Sequence, residues 1–371
     1  MKAWLLDQIS SVQDLHLRHI PEPVPGKGEV VVQLAYAALN PADAYLAQGQ
    51  YPAKPTFPHI LGRDGIGTIT ALGEGVNGGG RGFAAGQKVL LLRSDVGVNR
   101  AGTLAEKVAV PADSLTPVPD GWTDQEAAGA TLVYLTAYQA LTQWNAAPDE
   151  NGAPRRTVAP GESPGLSSSE SPQVVLVTGA SGGVGVASVQ LAKALGHTVI
   201  GLSRSPEKAK KVLELGADAV FDPSDKLWPK KLREYLNPTA ADDDAKTGRK
   251  AAAGGRRVDL AIDSIGGTLL PEVIETLGMN GKVSVVGRLA GPVPNFNTST
   301  LFFRRIRLGG VAIGTYTNAE THAAWQAALA LLKKTNAKPL VDQVFEFAQV
   351  QAAFDRLAAG PMGKVLVRVG G

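Results

Sequence analysis

The chain of 371 residues has no cysteine. That excludes disulfides, thiolate nucleophiles and every zinc or iron–sulfur site built on cysteine. Its histidines number five, at 16, 19, 59, 197 and 322, and they are scattered rather than clustered as metal ligands. No apolar run is long enough to span a bilayer. The opening Met1-Lys2-Ala3-Trp4-Leu5 enters a strand pattern at once and shows no secretory signal, so a cytoplasmic location is expected. Strong charge of either sign is missing too: a net +3 does not call for nucleic acid at this length. There is no internal repeat. What remains is a soluble globular composition, 44% hydrophobic and 19% charged, on a chain long enough for two domains.

The most informative stretch runs from Gln173 to Lys208. The run Val174-Val175-Leu176-Val177 suits a strand buried on both faces. A turn of small residues follows, Thr178-Gly179-Ala180-Ser181-Gly182-Gly183-Val184-Gly185, and then a helical pattern with Val186, Val189, Leu191 and Leu195 on one side, ended by Gly196. Thr198 to Leu202 reads as a second strand. Ala180-x-Gly182-x-x-Gly185 therefore sits where a dinucleotide fingerprint belongs, with alanine in place of its first glycine. Bare backbone there can approach a pyrophosphate, and the helix N-terminus offers free N–H groups.

The cofactor's identity is read about 20 residues further on, where an NAD-preferring fold puts an acid on the ribose hydroxyls. Here that position is Ser203, followed by Arg204, and no acid stands there to repel a 2′-phosphate. Arg204 offers a planar fork of donors, Ser203 a hydroxyl, and Lys208 an ammonium one turn into a helix that Ser205 caps and Pro206 begins. NADPH is the expected cofactor.

Residues 1 to 128 read as β-rich, with strands at Glu29–Leu34, Gly65–Ile69, Lys88–Leu92 and Ala105–Val110 and Gly or Pro between them. Helical patterns follow near Thr123, capped by it or by Asp120, and over Leu132 to Trp144. Segments 148–172 and 237–257 are rich in Pro, Gly, Ser, Ala and charge, and read as solvated surface insertions. Between and after them the alternation resumes, with strands at Gly216–Phe221, Val258–Asp263 and Lys282–Gly287 and helices at Lys208–Leu215 and Leu269–Leu277. Such alternation implies a parallel, doubly wound sheet. Its ligand belongs at the carboxyl ends of the strands, where Gly179, Ser203, Asp263 with Ser264, and Gly287 fall. Helices at Glu320–Lys333 and Val350–Ala359 and a strand at Lys364–Val369 complete the pattern.

The order of Ala38-Leu39-Asn40-Pro41-Ala42-Asp43-Ala44-Tyr45, Gly62-Arg63-Asp64-Gly65-Ile66-Gly67, Leu135-Thr136-Ala137-Tyr138, the glycine turn, Leu215-Gly216-Ala217-Asp218 and Gly363-Lys364-Val365 resembles the medium-chain dehydrogenase/reductase superfamily. The likeness is greatest to its zinc-free quinone oxidoreductase branch. The resemblance implies an α/β fold: a doubly wound Rossmann sheet (129–316) inserted into a β-rich GroES-like catalytic domain (1–128 and 317–371). It implies Asn40, Tyr45 and Tyr51 around the nicotinamide and substrate, Thr136 at the nicotinamide end, and cofactor contacts from Asn40, Gly179, Ala180, Ser181, Gly182, Gly183, Val184, Gly185, Ser203, Arg204, Lys208, Ser264 and Gly287. In the zinc-dependent branch a Cys would stand at Asn40 and a His at Arg63. Their replacement implies a metal-free enzyme, with His59 a surface or satisfied side chain and Arg63 paired with Asp64 or another carboxylate.

The implied activity is hydride transfer from NADPH to a quinone or α,β-unsaturated carbonyl. The resemblance also implies a homodimer joined through an edge at Arg305 to Thr315. Two alternatives stay open. One is a 2-enoyl thioester reductase, with Arg304, Arg305 and Arg307 meeting the carrier phosphates. The other is a non-catalytic protein that keeps the cofactor fold and contacts RNA.

Overall fold

Every residue of Val174–Val177 is buried, and a strand of that kind has to be covered on both faces. The computed structural model describes residues 1–76, 82–92, 95–145, 172–238, 255–293 and 295–370, and within them the chain forms two compact units. Unit 1 comprises Met1–Leu135, Ile313–Leu329 and Lys338–Gly371; unit 2 comprises Thr136–Ala312 and Ala330–Ala337. The insertions read at 148–172 and 237–257 lie almost wholly outside the described residues.

Unit 1 is organised by one long strand, β3 (Glu29–Ala38), whose inward side chains alternate with exposed or half-exposed ones over part of its length. It pairs along one edge with β4 (Asp64–Leu72) and along the other with β6 (Lys107–Pro111) over its first half and β15 (Lys364–Arg368) over its second. β5 (Lys88–Leu91) and β7 (Leu115–Pro117) extend the sheet beyond β4, and β14 (Val341–Glu346) pairs with β15. A separate pair joins β1 (Lys2–Leu5) to β2 (His16–His19). The core contains Val30, Val32, Leu34, Leu61, Val89, Val365 and Val367, all inward residues of these strands or of the loop before β4. Short helices α1 (Pro41–Ala47) and α2 (Asp124–Ala128) follow β3 and β7 in the chain. Thr123, not Asp120, caps α2: its hydroxyl accepts from Glu126 N at 3.2 Å while its own N–H reaches the Glu126 carboxylate at 2.7 Å.

Unit 2 is a six-stranded sheet, parallel throughout, in the order β10-β9-β8-β11-β12-β13. In chain order these are β8 (Val174–Val177), β9 (Thr198–Leu202), β10 (Ala219–Phe221), β11 (Val258–Asp263), β12 (Leu277–Val285) and β13 (Arg307–Gly310). The chain runs outward one way from β8, returns, and runs outward the other way from β11. In open sheets of this kind such a reversal is where ligands bind, at the carboxyl ends of the strands, here those of β8 and β11. Helix α3 (Thr131–Thr142) contains the unit boundary; α4 (Gly183–Ala194), α5 (Pro206–Glu214), α6 (Trp228–Leu236), α7 (Leu269–Thr276) and α8 (Ser299–Arg304) connect the strands, and α9 (Asn318–Thr335) and α10 (Val350–Ala358) follow. Helix α6, which the pattern of alternation leaves unassigned, is anchored by fully buried Trp228 and Leu232. The Trp228 indole also donates to Glu272 at 2.7 Å.

Candidate active site

The glycine turn of unit 2 is shaped by steric exclusion. Gly179, at φ +56°, occupies left-handed space, and a Cβ there would meet Ile265 and the Ser264 hydroxyl at 3.0 Å. Gly182 caps α4, with its N–H on the Gly179 carbonyl at 3.0 Å and its carbonyl receiving Val186 N at 2.8 Å. A Cβ on Gly185 would stand 2.2 Å from the Gly179 carbonyl oxygen, so only glycine lets the helix sit this close to the strand. Ala180 is fully buried, beneath the turn that carries Ser181, Gly183 and Val184. The 12-residue α4 thus begins where a pyrophosphate would lie, with backbone N–H groups and the positive end of its dipole toward it.

Around this turn the neighbouring strand ends are tied together. Thr178 donates to the buried Asp263 carboxylate at 2.7 Å, and the Ile265 and Gly266 amides reach the same carboxylate at 3.2 and 3.0 Å. Ser264 closes the link from the other side: its N–H reaches the Thr178 hydroxyl and its hydroxyl the Thr178 carbonyl. Burial pushes Asp263 up from the carboxylate range, and the hydrogen bonds from Thr178 and the two amides oppose it. Gly287 is held against Ser264, whose carbonyl oxygen would lie 3.0 Å from an added Cβ.

At the end of β9 the structure keeps Ser203 buried, its N–H on the Phe221 carbonyl at 3.0 Å, and leaves Arg204 exposed. Ser205 caps α5, accepting from Lys208 N at 3.2 Å, with Pro206 in the first turn. One neighbour escaped the sequence reading. Asp222, just beyond β10, is held below the usual carboxylate range by hydrogen bonds from Ser224, and Arg204 lies near enough to lower it further. An acid on the adjacent strand end therefore shares Arg204's surroundings, a juxtaposition that only the strand order reveals.

Unit 1 carries a different construction, a buried network of charges. The Asn40 amide is fully directed by its neighbours. Its nitrogen donates to Asp64 Oδ2 at 3.0 Å and the Ala38 carbonyl at 3.3 Å, while its oxygen accepts from Lys364 Nζ at 2.7 Å. Lys364 also donates to the Leu39 carbonyl at 2.9 Å and lies 3.3 Å from Asp64 Oδ2. Asp64 Oδ1 receives the Thr131 hydroxyl at 3.0 Å and Leu132 N at 3.2 Å. Side-chain exposures of 5% for Lys364 and 2% for Asp64 mean that each charge depends on the other. The Lys364 stem passes over Gly129, where an added Cβ would lie 3.1 Å away.

Next to this network Asp43, on α1, accepts from Asn40 N at 2.8 Å and pairs with Arg63 Nε at 3.2 Å. Arg63 is thus paired with Asp43; Asp64 belongs to Lys364. Burial pushes Asp43 up, against the pull of Arg63. The Arg63 guanidinium also lies 4.3 Å over the Tyr51 ring. Asn40, Tyr51 and Arg63 therefore meet in one neighbourhood through Asp43, and Tyr45 stands on the same helix α1 as Asp43. The signal that Lys364 belongs there was a single lysine opening an otherwise apolar strand, Lys364-Val365-Leu366-Val367.

His59 is not a surface side chain, and its hydrogen bond with the Gly97 backbone satisfies it only in part. It is 4% exposed, and its Nε2 has no hydrogen-bond partner. Burial holds it below the usual histidine range. Thr136 is buried on α3. Among the described residues, no group of three or more His, Cys, Asp or Glu side chains could hold a metal ion, and no helix is long and apolar enough to cross a membrane.

The alcohol dehydrogenase GroES-like domain family matches residues 26–120, and the zinc-binding dehydrogenase family matches residues 183–334. An acryloyl-coenzyme A reductase of Sulfurisphaera tokodaii is 28% identical over 379 residues, spanning 96% of this chain and 97% of its own. A quinone oxidoreductase of Rattus norvegicus is 28% identical over 348 residues, spanning 93% of this chain and 90% of its own. The quinone oxidoreductase of Thermus thermophilus, solved also in complex with NADPH, superposes with a TM-score of 0.74 at 27% identity, covering 99% of this chain and 100% of its own.

Proposed function

The chain belongs to the medium-chain dehydrogenase/reductase superfamily, in its quinone oxidoreductase branch, and from that premise we propose that it is an NADPH-dependent reductase of quinones or α,β-unsaturated carbonyls. The observation that carries this reading is the glycine turn followed by Ser203 and Arg204, a dinucleotide cradle with no acid at the ribose position. Bound NADPH supplies hydride. Gly179 to Gly185 receive its pyrophosphate, Ser203, Arg204 and Lys208 its 2′-phosphate, and Ser264, Gly287 and Thr136 lie along the rest of its path. Tyr45 and Tyr51 orient the acceptor. Asn40, whose amide is locked by Asp64 and Lys364, gives that wall a fixed shape. When hydride adds to the electrophilic carbon, the electron pair moves to the acceptor oxygen, which takes its proton from water. No buried general acid is required.

A second reading, reduction of a 2-enoyl thioester, is favoured by the likeness to the acryloyl-coenzyme A reductase. Arg304, Arg305 and Arg307 do not serve it. They lie just before or at the start of β13, at the amino ends of the strands, whereas the glycine turn follows the carboxyl end of β8, and Arg304 is bonded to the Glu275 and Leu277 carbonyls. Carrier phosphates at the nucleotide end would need other cations.

β13 is an edge strand flanked by exposed Phe302, Phe303 and Leu308, an edge that pairing with a second copy would cover. A homodimer in the cytoplasm is the corresponding assembly; light scattering that shows only monomer at micromolar concentration would remove it.

The cofactor assignment is tested by kcat/KM for NADPH and NADH in the wild type and in Arg204→Ala, Lys208→Ala. Charge-assisted hydrogen bonds of about 1.5–3 kcal/mol each predict a wild-type preference for NADPH of about tenfold or more, lost in the double variant. Equal use of both cofactors by the wild type, or an unchanged ratio in the variant, contradicts it.

A further inference from the structure

At the amino ends of the unit 2 strands, away from the glycine turn at the carboxyl end of β8, lies a cavity of about 240 Å³ lined by Lys230, Arg233, Arg256, Arg257 and Arg304, with Glu275 as the one carboxylate. The cations come from separate elements. Lys230 and Arg233 ride on α6, Arg256 and Arg257 immediately precede β11, and Arg304 ends α8. Leu232 and Leu236 supply an apolar wall.

The simplest reason for arginines here is to cap helix carbonyls, and part of their capacity is used so. Arg257 Nη1 donates to the Glu275 carbonyl at 3.1 Å, and Arg304 Nη1 to the same carbonyl at 2.9 Å and to that of Leu277 at 3.1 Å. Arg256 Nη2 donates to the Thr198 hydroxyl at 3.0 Å. Each of these bonds occupies one nitrogen of a guanidinium and leaves the remaining donors of the fork. The Arg233 side chain makes no hydrogen bond or ion pair among the described residues. Glu275 is a poor counter-ion: its carboxylate is 55% exposed, lies 3.7 Å from Arg304 Nη2, and also accepts from Thr300. The half-buried Arg257 is held below the usual arginine range by burial and then by the positive charges of Arg304 and Arg233. Like charges gathered in a concave site, with donors to spare, are what an oxyanion would relieve.

We infer that this cavity, formed by Arg233, Arg257 and Arg304 at the amino ends of the strands, binds a phosphoryl group, either as inorganic phosphate or as the end of a small phosphate monoester. Several planar forks suit a tetrahedral dianion, and the Lys230 ammonium, 3.6 Å from Glu234 along the same helix, adds positive charge at the rim. A carboxylate would be matched by a single arginine. The apolar wall of Leu232 and Leu236 accommodates the carbon side of an ester.

The test is calorimetric titration of the full chain in low-salt, phosphate-free buffer, saturated with NADPH so that the cofactor's own phosphate positions are filled. Inorganic phosphate, phenyl phosphate and a single-stranded oligonucleotide are the probes. The expected result is one saturable site for phosphate or phenyl phosphate, the tighter of the two naming the source. Arg233→Gln, which removes no bond seen in the structure, weakens it by about tenfold. Arg257→Lys, which keeps the charge but not the fork, weakens it further. Arg18→Gln, a surface cation on β2 of unit 1 outside both sites, leaves it unchanged. The inference is overturned if neither small probe saturates a site, if Arg233→Gln and Arg257→Lys both titrate like the wild type, if Arg18→Gln abolishes the signal, or if only the oligonucleotide binds.

Discussion

The two candidate sites are held in shape by opposite means. In unit 2 the nucleotide turn is contiguous, and what defines it is the absence of side chains: a single Cβ at Gly185 would collide with the Gly179 carbonyl. In unit 1 the network around Asn40 is made of side chains with opposite charges. The Asn40–Asp64 bond spans 24 positions, and the Asn40–Lys364 bond spans 324. A steric site can be written in one short stretch, because exclusion acts between residues close in the chain. A charge-balanced site depends on which strands the fold brings side by side, here β15 laid antiparallel to β3.

The contrast predicts that the two sites fail differently. The largest effect is expected for Lys364→Met. Removing one partner of a buried pair leaves the Asp64 carboxylate uncompensated, at a cost of about 3–5 kcal/mol in urea unfolding. Adding Asp64→Asn should recover part of that loss. If the double variant is as unstable as the sum of the single ones, the pair is not coupled as described. A smaller and more local effect is expected for Gly185→Ala. Crowding of the turn should cost about 1–3 kcal/mol and weaken NADPH binding in a fluorescence titration, with the unit 1 network untouched. Unimpaired NADPH binding would show that the close approach of α4 to β8 is unnecessary.

The smallest effect is pH-dependent. His59 is held below its ordinary 6.5 by burial, despite a hydrogen bond with the Gly97 backbone, with the charge of Arg63 adding to the effect of burial. The unfolded chain therefore takes up the proton first. Its contribution to stability is complete above about pH 6.5 and declines as the pH falls toward the folded value. Asp43 and Asp263 are raised by burial. Their stabilising contribution is complete below the ordinary carboxylate value and is lost as pH rises through the folded one, so they give the opposite slope. The informative quantity is thus the difference between wild type and His59→Phe: the variant should lose less stability between pH 7 and pH 5.5. Parallel curves would mean that His59 is solvated.

The same contrast explains what could be read before the fold was known. The doubly wound sheet was legible because each strand–helix step carries its own local signals: the Val174–Val177 run, Gly196 past the end of α4, Ser205 and Pro206 at the start of α5. Helix α6 was missed because its apolar anchors, Trp228 and Leu232, are sparse among Lys230, Lys231, Arg233 and Glu234, and its burial comes from tertiary packing into the core of the parallel sheet. In unit 1 the sequence pointed to Asn40 and to Arg63 but left the arginine's partner open between Asp64 and another carboxylate. Asp43 and Asp64 lie 3 and 24 positions from Asn40, and only the path of β4 and β15 decides which cation each one meets. Asp222, beside Arg204, was hidden for the same reason.

The most direct measurement is steady-state consumption of NADPH by the purified chain against a panel of quinones, enones, aldehydes and enoyl thioesters, with and without a chelator. Turnover with quinones or enones that the chelator leaves intact is the predicted result. No turnover with any of them, or an activity toward aldehydes that disappears with the chelator and accompanies stoichiometric zinc, would contradict it.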